Sequence, residues 1–175
     1  TYDMSEEVSA KLILAYRDLE AYFARQVDGT ELNIFENRDK YFHDQFSADL
    51  RFNGASDDLE WVGGVFYYTE NADNQLDFTG ALEGTVYPIH FGGLVDNENY
   101  AIYGEGTYHL NDAWHLTAGL RYTDETKRAN PNAYSYPDGD IENPPAHGAA
   151  GTNELFPEGW NENSFTQATY RIVLA

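Results

Sequence analysis

Two histidines, His109 and His115, stand on either side of a short polar break, Asn111-Asp112-Ala113. Imidazoles facing each other across a hairpin can share a cation, or repel when both are protonated. The plain alternative is a pair of polar wall residues touching water or a packed neighbour. Opposite charges recur nearby: Glu105 is expected diagonal to Arg121, and Arg51 opposite Glu60 if Leu50 pairs with Trp61. Such pairs either contact a solute or neutralise each other. A third group lies between residues 130 and 163, where Tyr134, Tyr136 and Trp160 offer stacking surfaces beside Asp138, Asp140 and Glu142. Aromatic faces with carboxylates suit an organic ligand, and Asp138-Gly139-Asp140 followed by Glu142 loosely resembles a calcium loop. The full EF-hand pattern is missing, and a solvated surface loop explains the same residues. No nucleophile, base and orienting group share a recognisable spacing, so the chain does not read as an enzyme.

Composition narrows the setting for these groups. The chain has 175 residues, with 30 acidic against 10 basic side chains and a net charge of −20. That balance disfavours nucleic acid, whose phosphates need a basic surface. A hydrophobic content of 42%, with 15% aromatic residues, supplies more burial than disordered chains have. Cysteine is absent, which removes disulfides, thiolate metal sites and cysteine nucleophiles. No apolar run is long enough for a spanning helix, and the first residues, Thr-Tyr-Asp-Met-Ser-Glu-Glu, do not resemble a signal peptide. A transmembrane β-barrel stays open, because its alternating strands leave little trace in hydropathy.

Alternation is what the elements show. Tyr100, Ile102, Gly104, Gly106, Tyr108 and Leu110 interleave with Ala101, Tyr103, Glu105, Thr107 and His109. After the break, Trp114, Leu116, Ala118, Leu120 and Tyr122 interleave with His115, Thr117, Gly119, Arg121 and Thr123. A three-residue connection pairing Tyr108 with Leu116 keeps both apolar sets on one face, whereas a slip of one residue would scatter them. The same pattern predicts six strands, near residues 8–23, 43–53, 59–71, 99–110, 114–126 and 164–175. All six prolines (88, 131, 137, 144, 145 and 157) fall outside these spans. Ile13 and Val62 interrupt the polar face.

The expected connections run 24–42, 54–58, 72–98, 111–113 and 127–163, alternately long and short. Outer-membrane barrels have this asymmetry, with short periplasmic turns and long extracellular loops. Most of the acids fall outside the six spans. Phe52, Trp61, Tyr108 and Trp114 lie on the apolar faces beside the short turns, and Tyr16, Tyr67, Tyr100 and Tyr122 toward the far ends. Two aromatic belts are what a membrane-spanning sheet places at its interfaces.

Five segments in order resemble the barrel of TonB-dependent outer-membrane receptors. They are Leu14-Ala15-Tyr16-Arg17-Asp18, Phe46-Ser47-Ala48-Asp49-Leu50-Arg51, Leu59-Glu60-Trp61-Val62-Gly63-Gly64-Val65-Phe66-Tyr67, Tyr100-Ala101-Ile102-Tyr103-Gly104-Glu105-Gly106-Thr107-Tyr108 and Leu116-Thr117-Ala118-Gly119-Leu120-Arg121-Tyr122-Thr123. The last is the most specific. The resemblance implies an antiparallel, all-β, up-and-down meander in the Gram-negative outer membrane. It further implies a receptor that binds a nutrient such as a ferric siderophore, a saccharide or cobalamin and draws energy from the TonB system through a plug domain. No plug or TonB-box segment is visible, and six strands cannot close a barrel of known size, so the chain reads as a portion of a larger receptor. Glu105, His109, His115, Arg121, Arg51 and Glu60 then line the lumen, and Tyr134, Tyr136, Asp138, Asp140 and Trp160 belong to a ligand-binding loop. No cofactor is expected beyond the weak calcium motif. The alternative outside this family is a secreted or surface β-sheet protein that assembles through its open edges or binds calcium.

Overall fold

The structure is a computed structural model that describes residues 1–29, 35–82, 85–136, 141 and 143–175. Among these, eight strands form one antiparallel sheet: β1 (Tyr2–Asp3), β2 (Val8–Gln26), β3 (Phe35–Ala55), β4 (Leu59–Leu82), β5 (Thr85–Asn111), β6 (Trp114–Ser135), β7 (Asn153–Phe156) and β8 (Asn161–Leu174). Neighbours in sequence are neighbours in space from β1 to β7, and β8 returns to pair with β6. The expected meander is therefore present, with two short strands added.

The alternation seen in the sequence becomes rows across the sheet. Leu12, Leu50, Val65, Ile102, Tyr122 and Ala168 are successive cross-strand partners. On this face Leu12, Ile102, Leu120 and Ile172 are more than half exposed. Among the described residues no second layer covers them. The apolar band runs on β6 from Trp114 to Tyr122, about 27 Å of strand and roughly 20 Å of height after tilting, close to the height of a lipid-facing band. Phe46, Tyr67 and Tyr100 pack as tilted rings at its upper border, with ring centroids 6.3 and 4.9 Å apart. Trp61 marks the lower border, and its indole lies over Gly54, where a Cβ would sit 2.3 Å from the ring nitrogen.

The strands run much further than expected. β4 has 24 residues and β5 has 27, about 80 and 90 Å long, whereas crossing a bilayer takes about ten residues. Residues 72–98, predicted as a loop, are almost wholly an extended hairpin from Leu82 back through Thr85. Parts of 24–42 and 127–163 are likewise strand. Period-two alternation comes from having one apolar face; along Asn71-Ala72-Asp73-Asn74-Gln75 both faces are polar, so the pattern fades while the ladder continues.

Two prolines consequently lie inside strands, against expectation. Pro131 pairs with Gly93 on one side, but on the other it falls between the end of the β8 ladder at Ala129 and the start of the β7 ladder at Ala133. Pro88 lies just past the β5–β6 ladder, which ends at Ile89. Each sits where a ladder is interrupted or finished, which limits the cost of a missing N–H.

Candidate functional site

The polar face carries paired groups at three heights. At the level of the apolar band, Tyr103 hydroxyl donates to Asp49 at 2.7 Å and accepts from Arg51 at 3.2 Å, while Arg51 also bonds Asp49 at 2.7 Å. Gly64 makes this arrangement possible. A Cβ there would meet the Leu50 carbonyl at 2.6 Å and the Tyr103 hydroxyl at 2.8 Å, so only a bare backbone lets the phenol lie down on the wall. Arg121 rests over the rings of Phe66 and Tyr103, at 5.6 and 5.9 Å, and bonds Thr123. Glu105 approaches Arg171 of β8 at 3.4 Å.

One predicted ion pair is thereby corrected, and the other keeps its placement. Arg51 partners Asp49 and Tyr103 instead of Glu60, because Ser56 and Leu59 close a two-residue turn over Asp57-Asp58 and Arg51 falls opposite Gly64. Glu105 lies diagonal to Arg121 as expected, opposite Gly119, and its carboxylate reaches Arg171. The positions remain on one face, but the partners differ.

Higher on the same face, His43 is buried and its Nε2 lies 2.6 Å from Glu70, which also accepts from Tyr68 at 2.9 Å. Burial pushes the Glu70 carboxyl up; hydrogen bonds from His43, Tyr68 and Asn97 outweigh it and hold the group below its usual value. This carboxylate–imidazole pair went unnoticed in the sequence. Its only signal was two ionisable residues at matching parity in strands whose register the turn sets.

At the short-turn end, His109 and His115 pair as expected, with Tyr108 against Leu116. The turn itself is tighter than predicted: Asn111 pairs with Trp114 around Asp112-Ala113, and the register shifts between His109 and Asn111. Glu60 approaches His109 Nε2 at 3.7 Å.

At the opposite end, Tyr134 and Tyr136 are 3% exposed and pack with Ile141 in a small core. Tyr134 stacks on His90, and its hydroxyl donates to the Pro145 carbonyl. Burial pushes the Tyr134 phenol up, with the nearby Asp77 and Glu158 charges adding to it. His90 bonds the fully buried Asp77 at 2.8 Å. These tyrosines hold Ile141, Pro145 and His147 against the β4–β6 extension, so ligand contact by either ring would require those residues to move. Trp160 is half exposed. Asp138, Asp140 and the calcium-like motif they belong to lie outside the described residues.

The sequence matches the family described as TonB dependent receptor-like, beta-barrel, over residues 1–167. The chain belongs to the TonB-dependent receptor β-barrel family. No curated protein matches it. Among solved structures it is similar to the ferric yersiniabactin uptake receptor FyuA from Yersinia pestis, with a TM-score of 0.70 and 13% identity, covering 98% of this chain. The chain spans 23% of that receptor's length. Barrels of this family present an apolar band to lipid and a polar face to the lumen, and the sheet has one face of each kind. Arg51, Arg121 and Arg171 with Asp49 and Glu105 share the polar face, and the family's role is transport without catalysis.

Proposed function

We propose that this chain forms part of an outer-membrane receptor that binds a nutrient chelate outside the cell and imports it with TonB-derived energy. The supporting observation is the one-layer sheet itself: an exposed, girdled apolar band backs onto a charge-paired wall, and the strands continue far above the band. An aqueous protein would leave that band uncovered. A ferric siderophore is the favoured ligand class, since the structural neighbour is a ferric yersiniabactin uptake receptor. The acidic extension disfavours strongly anionic chelates at low salt and favours neutral or cationic ones. Contact with TonB runs through a plug domain supplied by the same receptor.

The test is uptake of radiolabelled iron–siderophore complexes by Gram-negative cells with and without the receptor, each in the presence and absence of TonB. Uptake that needs both proteins is expected, together with heat-modifiable migration of the purified receptor in detergent. A receptor that stays monodisperse in buffer without detergent overturns the reading.

A further inference from the structure

We propose that His109 and His115 form a two-nitrogen chelate for a borderline transition-metal ion, Cu²⁺, Ni²⁺ or Zn²⁺, at the short-turn rim of the lumen face. The backbone dictates the approach. His109 N–H donates outward to the Asp58 carbonyl at 2.8 Å, and His115 exchanges bonds with Ala175 at 2.8 and 3.0 Å. Both N–H groups point away from each other, which makes this a non-hydrogen-bonded antiparallel pair, the kind in which facing side chains come closest. Backbone at Asp58 and Ala175, adjoining the ends of β4 and β8, pins both residues, so the imidazoles are held together before any ion arrives.

The ring atoms agree. The two Nδ1 atoms lie 2.7 Å apart, with the rings at 80° and their centroids at 4.7 Å. A bond at that distance needs one Nδ1 protonated and the other presenting its lone pair. When the donor ring carries its proton on Nε2 instead of Nδ1, both rings stay neutral and two Nδ1 lone pairs are aimed into one space. A metal bound at about 2.1 Å from each nitrogen, near the tetrahedral angle, separates them by about 3.4 Å. The rings therefore need to part by roughly 0.7 Å, a small change for half-exposed side chains. His109 directs its other nitrogen, Nε2, toward Glu60 at 3.7 Å, as metal-bound histidines direct theirs toward a carboxylate. The hydroxyls of Thr107 and Thr117, 2.9 Å apart, flank the site one step along the same face.

Among the described residues no three His, Asp or Glu side chains converge as a complete metal cage. Two imidazoles then supply the protein ligands, and water fills the remaining positions. Nitrogen donors select copper, nickel or zinc over calcium and magnesium, which prefer oxygen.

The test is Cu²⁺ titration of the intact receptor in detergent, followed by electron paramagnetic resonance. Wild type is expected to bind one equivalent showing coupling to two imidazole nitrogens, and H109Q or H115Q to lose that species. H147Q, which alters a histidine on the far segment, is expected to retain it. A wild-type spectrum with one imidazole nitrogen or none overturns the proposal without any variant having to fold. So does a two-nitrogen species that survives in H109Q.

Discussion

The lower and upper parts of β4 obey different rules although one ladder runs through both. From Leu59 to Tyr67, Leu59, Trp61, Val65 and Tyr67 share the outward face and Glu60, Phe66 and Gly64 the inward one, so a slip of one residue would turn charge toward lipid. From Thr69 to Leu82, Asp73 and Asp77 share the outward parity of Val65, and both faces are largely polar. Register there is inherited from below. The lower half is specified by its solvent; the upper half is specified by its neighbours and by the packed segment around Tyr134.

The sharpest way to break this contrast is to place one charge on the same face in both halves. Ile102→Arg, at the centre of the apolar band, is expected to cost about 2–4 kcal/mol of stability in lipid vesicles. Leu94→Arg, at the same parity on β5 but above the band, should cost about 0–1 kcal/mol. Denaturant titration of the vesicle-embedded receptor measures both, and equal costs would remove the proposed boundary.

A smaller effect tests whether the upper half depends on its own core. Asp77→Ala strips buried His90 of its carboxylate partner and is expected to cost about 1–3 kcal/mol, felt locally. Hydrogen exchange should then quicken for amides in 74–92 and stay unchanged in 59–67. Uniform quickening would mean that the two halves unfold as one.

The smallest effect is a dependence on pH. Glu70 is held below its ordinary 4.5 in the folded state. Its contribution is therefore complete above that value and is lost as pH falls through the folded value. Glu70→Gln should be less stable than wild type by about 1 kcal/mol near neutrality, and the gap should close below pH 4.5. A gap unchanged at acid pH would assign the difference to something other than the carboxylate.

What was legible in the sequence follows the same division. Strands around Leu14, Leu50, Val65, Ile102 and Leu120 announced themselves because lipid on one side imposes a period of two. The pairing of His109 with His115 followed from keeping Tyr108 beside Leu116. The partner of Arg51 did not, because the Ser56–Leu59 turn shifts Trp61 from Leu50 to Gly54. Arg171 could not be joined to Glu105, since nothing in the long connection before β8 determines its register. Gly64 did carry a signal: an inward glycine within a strand marks a place where something lies close to the backbone, and that something is Tyr103.

The length of the extension has an electrostatic consequence. From Tyr100 to Thr85, β5 rises about 50 Å along its path, or about 40 Å if it keeps an ordinary barrel tilt. Fields in physiological salt fade over about 8 Å. Glu36, which pairs with Thr79 twelve residues beyond Tyr67, therefore sits about four screening lengths above the upper aromatic border, and the bilayer scarcely senses the charge at that end. Solutes arriving at the rim meet that charge undiluted, and counter-cations gather there before anything reaches the wall below.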